Sequence, residues 1–313
     1  MGLGLESQSS ELPPAVTTWL EGQIGRYCIL RTCRAGSERT GVWHIEAERG
    51  RYYCKINRRR VRWATELFAY RNWMPTLRPH VPELLGVLDA GGLSALLLSS
   101  LEGAPLREAA IADSDAARAY RRAGELLATL HGLPAGPWYG IMDEHGQPAD
   151  EACHSDPVTF YGRVIGKCLA DARTANALDA EEEGTAETVL DSLPAIQFPV
   201  PVPTFFDYTP GNWIVDESGD LLGIIDFENM GWGLPADPFA RLVLDYFPMC
   251  AEGRDSFYTG YGRCMESECP EQVRLGFLIY GLYYKTQGAL RSSTAMAERA
   301  RRAFVACREI GPA

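Results

Sequence analysis

The dominant spacing of the apolar residues turns from strand-like to helical near residue 100, and that change limits the folds open to the chain. Before it, residues 27–30, 41–46 and 51–56 alternate with period two and are rich in aromatic and β-branched side chains, which favours strands. Gly36 and Gly50 punctuate them as turns. Between residues 62 and 74 the period becomes helical: Ala64, Leu67, Phe68 and Trp73 share a face, and Pro75 closes the helix. Two further strands, 84–88 and 93–99, flank a turn at 89–92. The expectation is a five-stranded antiparallel sheet with one helix after its third strand. Beyond Pro105 the pattern is mostly helical, at 114–132, 157–176, 181–193 and 238–309, with a proline-rich extended stretch at 194–203. One hairpin interrupts it, with strands at 213–215 and 222–225 around the turn 216–220.

Composition narrows what such a chain does. Its 313 residues suffice for one large or two modest domains with a buried core. A net charge of −11 opposes phosphate backbones, so no nucleic-acid partner is expected. No apolar run has the length to span a bilayer, and residues 1–14 lack a basic region followed by an apolar stretch, so a cytoplasmic protein without a membrane partner is expected. The nine cysteines form no C-x-x-C pair, which predicts free thiols rather than a metal site or a disulfide framework. Of the 30 basic residues only Lys55, Lys167 and Lys285 are lysines, a bias that fits a GC-rich bacterial genome and makes each lysine conspicuous.

The chemistry concentrates in residues 204–228. Asp207 and Asn212 lie five apart in a Pro-Gly loop, and Asp226 follows at the end of an apolar strand. A hairpin between them brings Asn212 and Asp226 together at its base, an arrangement of hard oxygen donors suited to Mg²⁺. Asp207 then stands beside them, facing a substrate hydroxyl. Phosphoryl transfer needs such a carboxylate and metal, together with a strand lysine on the nucleotide phosphates and a helix glutamate that fixes the lysine. Lys55 ends the third strand, and Glu66 follows eleven residues later on the next helix.

These residues, in this order, resemble the aminoglycoside phosphotransferase family, which is similar to choline kinases and more distantly to protein kinases. The family's H-G-D-x-x-x-x-N loop corresponds to Phe205-Phe206-Asp207-Tyr208-Thr209-Pro210-Gly211-Asn212, and its metal strand to Ile225-Asp226-Phe227-Glu228. The resemblance runs from about residue 26 to the end. It implies an α+β, bilobal protein-kinase-like fold: a nucleotide-binding lobe over 1–98, a hinge over 99–103, and a mainly helical catalytic and substrate-binding lobe over 104–313.

For the site, the resemblance implies Asp207 as the catalytic carboxylate, Asn212 and Asp226 as Mg²⁺ ligands, and Lys55 with Glu66 on the ATP phosphates. Ser37 caps phosphate in a loop unlike the glycine-rich loop of protein kinases, and Ser100-Leu101 forms the hinge that reads adenine. Glu228 has three roles open to it: metal contact through water, substrate contact, or support of the loop. Trp232 and Tyr284 belong to aromatics placed where the family builds its substrate cleft. Leu130-His131 matches a structural pair, and Asp237 a shifted form of a structural Gly-Asp-Pro aspartate. Phe205 and Phe206 depart from the family's His-Gly.

The implied activity is an ATP-dependent transfer to an alcohol group, with GTP as the alternative nucleotide, by a monomer or homodimer. The acceptor is a small-molecule hydroxyl, first an antibiotic in a self-resistance setting (an aminoglycoside, or a nucleoside or peptide antibiotic). A metabolic kinase for choline, homoserine or a sugar is the second reading. A nucleotide-binding pseudokinase is the third, motivated by Phe205-Phe206.

Overall fold

The computed structural model describes residues 11–34 and 40–310. The described residues begin with a helix, α1 (Pro14–Ile24), that the strand and helix patterns read from the sequence leave out. Its signals are local: Pro14 occupies the first turn, where no N–H partner is needed, and Val16 and Leu20 make an apolar pair one turn apart. Five strands follow: β1 (Tyr27–Arg34), β2 (Thr40–Ala47), β3 (Gly50–Asn57), β4 (Leu84–Ala90) and β5 (Leu93–Ser99). They form one antiparallel sheet in the order β1-β2-β3-β5-β4. Gly91 and Gly92, both at positive φ, form the tight β4–β5 turn whose backbone matches the strand twist.

The strand period places Lys55. On β3, Cys54 and Ile56 face outward, where α1 covers them: Leu12, Val16 and Leu20 pack on Trp43, Ile45, Cys54, Ile56, Ala95 and Leu97. Lys55 points to the opposite face, on the side of α2 (Arg60–Asn72), with Leu96 and Leu98 of β5. Both faces of β5 are covered, which is why its sequence reads as a continuous apolar run. A short 3₁₀ turn at Met74–Leu77 follows α2, and the Arg78–Pro79 peptide bond is cis.

After residue 99 the chain crosses to a second layer. A two-residue strand, β6 (Ala104–Pro105), pairs with the hairpin formed by β8 (Trp213–Val215) and β9 (Leu221–Ile224). A second small ladder joins β7 (Val202–Phe205) to β10 (Met230–Gly233). Helices make up the rest: α3 (Asp113–His131), α4 (Pro157–Thr174), α5 (Ala180–Ser192), α6 (Phe239–Arg241), α7 (Ala251–Tyr261), α8 (Met265–Glu268), α9 (Pro270–Arg291) and α10 (Thr294–Glu309). A π-helical turn, Leu242–Tyr246, continues α6. Acidic residues fill the start of α5, where Asp179 and Glu182 form a reciprocal capping box and Glu181 and Glu183 lie in the first turn.

α3 and α7 meet almost backbone to backbone. A methyl at Gly124 would lie 2.2 Å from the Phe257 carbonyl oxygen, and one at Gly260 would lie 2.0 Å from that of Arg121. At the far end His131 Nδ1 meets the Tyr261 hydroxyl at 2.8 Å, and burial drives the imidazole pKa down to about 3. The neutral ring is therefore structural, as its sequence context implies. Among the described residues no helix is long and apolar enough to cross a membrane.

Candidate active site

Three separate parts of the chain meet at Lys55. Its Nζ lies 2.9 Å from Glu66 on α2, 2.5 Å from Asp226 after β9, and 3.1 Å from Glu228. Burial by itself disfavours the ammonium, but the carboxylates of Asp226, Glu66 and Glu228 outweigh it and hold Lys55 charged, well above its ordinary range. Glu66 is fully buried, which pushes its carboxyl up against the pull of Lys55. Asn57 donates to Glu66 at 3.3 Å, and Thr40 donates to Asn57 at 2.8 Å and to Glu228 at 3.2 Å, so three strand residues knit the cluster.

Packing holds α2 against the Asp226 segment. Tyr70 stacks edge-on to Phe227 at 5.2 Å, while Arg62 donates to the Glu228 carbonyl at 3.1 Å and to the Asn229 side chain. Asp226 itself adopts a left-handed backbone, φ 72° and ψ 60°, which a non-glycine residue takes only where its surroundings impose it.

The hairpin base joins the loop to this cluster. Ile225 N–H donates to the Asn212 carbonyl at 3.0 Å, setting Asn212 beside Asp226. The Asn212 side-chain amide donates to the Asp207 carbonyl at 2.9 Å, which fixes the five-residue spacing of the loop. Where the family pattern has histidine, Phe205 is fully buried and packs on Tyr208 and Phe227, with ring centroids 5.7 and 5.5 Å away. Tyr208 in turn donates to the Ala123 carbonyl of α3 at 2.6 Å. Aromatic packing thus holds the loop that a histidine would otherwise brace.

On its other side Asp207 forms an ion pair with Arg241 of α6. Burial works against the guanidinium, and Asp207 together with Tyr280, Tyr284 and Tyr246 outweighs it, leaving the Arg241 pKa raised. Tyr246, Tyr280 and Tyr284 also lie within electrostatic reach of Arg241. Tyr284 packs at a tilt against Tyr280, with ring centroids 4.4 Å apart, and lies under the Arg299 guanidinium at 5.6 Å. Asp245, buried on the π turn, takes the Tyr280 hydroxyl and is paired to Arg302 at 2.9 Å.

The structure therefore brings Lys55, Glu66, Asp226 and Glu228 into direct contact and ties Asp207 to Asn212 at the hairpin base. Glu228 stands with Lys55. Trp232 is used in packing: it lies edge-on to Trp73 at 4.9 Å and against Gly136, where a methyl would come within 2.3 Å of its ring. Ser100 N–H donates to the Arg51 carbonyl at 3.2 Å, and Leu101 covers Gly223 of the hairpin, so the 99–103 segment joins the two layers. Ser37 lies outside the described residues. Asp237 is buried, accepts hydrogen bonds from Tyr161 at 2.9 Å and from the Leu234 N–H at 2.8 Å, and is pushed up to about 7 by burial against those bonds. Sequence reasoning missed Arg241, Thr40 and Asn57. Alternation along β2 and β3 put Thr40 and Asn57 on the face of Lys55, but no spacing signal links Arg241 to a loop 34 residues earlier.

Residues 29–275 match the profile of the phosphotransferase enzyme family, APH, and the chain belongs to that family. Solved structures share its fold. One is a thermostable mutant of aminoglycoside phosphotransferase APH(4)-Ia in ternary complex with AMP-PNP and hygromycin B, 15% identical, with a TM-score of 0.72 over 96% of this chain and 100% of that one. Another is the macrolide 2'-phosphotransferase MphH from Brachybacterium faecium, 17% identical, with a TM-score of 0.59 over 93% of this chain and 97% of that one. The search of curated proteins gave no match. The fold is thus the bilobal kinase-like one expected from the sequence, and the chain is a phosphotransferase by family.

Proposed function

We propose that this chain is an ATP- and magnesium-dependent small-molecule kinase that phosphorylates a hydroxyl group. The observation that carries the reading is the meeting of Lys55 from β3, Glu66 from α2 and Asp226 from the hairpin base, with Asp207 and Asn212 on the adjoining loop. Residues 1–98 then form the nucleotide lobe, 99–103 the hinge with Ser100 and Leu101 at the base, and 104–313 the acceptor lobe. Lys55, oriented by Glu66, binds nucleotide phosphate.

The donor set fits Mg²⁺. The Asp226 carboxylate and the Asn212 amide oxygen are hard oxygen ligands, and the Asn212 amide nitrogen is already engaged by the Asp207 carbonyl. Among the described residues no group of three or more His, Cys, Asp or Glu is arranged to hold a metal. When bound, the ion would neutralise charge on the phosphates.

Asp207 orients the acceptor hydroxyl and takes its proton. The acceptor oxygen bonds to the γ-phosphorus, the bond to the β–γ bridging oxygen breaks, and ADP leaves. An antibiotic carrying a sugar-like hydroxyl is the leading acceptor, supported by relatives of this fold that act on or bind antibiotics. The test is ADP release with ATP or GTP and Mg²⁺ across antibiotics and hydroxylated metabolites. Acceptor-dependent release that Lys55→Ala loses is expected. Nucleotide binding without transfer to any acceptor would favour a pseudokinase.

A further inference from the structure

The acceptor side of Asp207 carries an arginine. Arg241 and Asp207 are each partly open, with side chains 22% and 31% exposed, so solvent and ligands reach the pair. The guanidinium has five donors in a planar fork, yet Asp207 is its one acceptor among the described residues, and its Nε is buried with no hydrogen-bond partner. The carboxylate four residues on, Asp245, offers no relief. Asp245 is already held by Tyr280, by Arg302 at 2.9 Å and by Arg299 at 3.8 Å. On this side of the site Arg241, Arg299, Arg301 and Arg302 answer Asp207, Asp245 and Glu298, one positive charge more than negative among these residues in a chain whose net charge is −11. The phenol rings of Tyr280 and Tyr284 add apolar wall and hydroxyls beside it.

Such a surface suits an oxyanion and opposes a polycation. A carboxylate or phosphate can take a guanidinium fork with two parallel hydrogen bonds, whereas an ammonium placed there meets a like charge. We propose that Arg241 is the specificity-determining residue of the acceptor half: it binds a carboxylate or phosphate group carried by the hydroxyl acceptor, and in doing so releases the Asp207 carboxylate to the hydroxyl. The proposal rests on the kinase reading above and deepens it. The acceptor is a hydroxyl compound bearing an anionic group, not a polyamine sugar.

The test uses the full chain saturated with ADP and Mg²⁺, titrated calorimetrically with four probes that share a ring of hydroxyls: glucose, glucosamine, glucuronic acid and glucose 6-phosphate. Wild type is expected to bind one or both anionic probes at least about tenfold more tightly than glucose, with glucosamine weakest. The carboxylate and phosphate arms identify which oxyanion the fork prefers. In Arg241→Gln the anionic advantage is expected to vanish, and in Arg241→Lys, which keeps the charge without the fork, to survive in part. Equal binding of all four probes by wild type, glucosamine binding tightest, or an unchanged preference in Arg241→Gln would overturn the assignment of Arg241. If Arg241→Gln does not fold, Arg241→Lys is read alone, and a preference equal to wild type counts against the fork. Wild type that binds no ADP would instead overturn the kinase reading.

Discussion

The two halves of the site hold their charges differently. On the side proposed for the nucleotide one ammonium, Lys55, is shared by three carboxylates, and the Lys55 and Glu66 side chains are almost wholly buried. On the side proposed for the acceptor one guanidinium, Arg241, pairs with the carboxylate of Asp207, and both keep some access to solvent. The first arrangement ties β3, α2 and residues 226–228 to one ammonium, and its Lys55–Glu66 pair is sealed from water. The second is the more open of the two, so a ligand can take over either partner at smaller cost. Under the proposed function, the first holds phosphate rigidly and the second adjusts to the acceptor.

The sharpest way to break this comparison is at the two anchor residues. Asp207→Asn keeps the shape of the loop but removes the proton acceptor. Turnover is expected to fall by about 10²- to 10⁴-fold with a thermal midpoint near wild type, read by ADP release alongside calorimetric melting. Lys55→Met strands Glu66, Asp226 and Glu228 together. Chemical denaturation should show a loss of about 3–5 kcal/mol, as for removal of one partner from a buried ion pair. A cost well under 1 kcal/mol would mean that the carboxylates do not depend on Lys55.

A smaller effect tests how the loop is held. Phe205→His restores the family's residue but sets a polar ring among Tyr208 and Phe227. It is expected to cost about 1–3 kcal/mol by denaturant titration without raising kcat. A gain in turnover would show that the aromatic brace is a defect rather than a substitute.

Near neutral pH the smallest effect is a pH dependence in the scaffold. His131 has a folded pKa near 3 against 6.5 when free, so the folded state binds fewer protons than the unfolded one throughout that window. Its contribution is complete above pH 6.5 and declines as the pH falls towards 3, by up to about 1.4 kcal/mol per pH unit. Stability curves of wild type and His131→Phe should converge or cross on acidification, with the variant the less acid-sensitive; parallel curves would show that His131 does not titrate in this way.

Much of this was legible before the structure. The five strands, α2 and the hairpin follow from apolar period and turn residues, because each is a local pattern. Lys55 stood out by its rarity and its strand-end place, and Asp207, Asn212 and Asp226 by the spacing that the hairpin enforces. α1 was missed although Pro14, Val16 and Leu20 carried its signal: a short helix whose apolar pair matters only against the sheet looks like a polar terminus when read alone. β6 and β10 are too short to show alternation. Arg241 was illegible for a different reason. Its meaning comes from an ion pair across 34 residues, and one arginine in a helical stretch reads as a solvated side chain until its partner is seen.

The central claim is that the Lys55 cluster and Asp207 together transfer phosphate to a hydroxyl. Mass spectrometry of acceptors incubated with the protein, ATP and Mg²⁺, beside the same reaction with Asp207→Ala, tests it directly. The account predicts one acceptor heavier by a single phosphoryl group, formed by wild type and absent with the variant. The same phosphorylated product at undiminished rate from Asp207→Ala would contradict it.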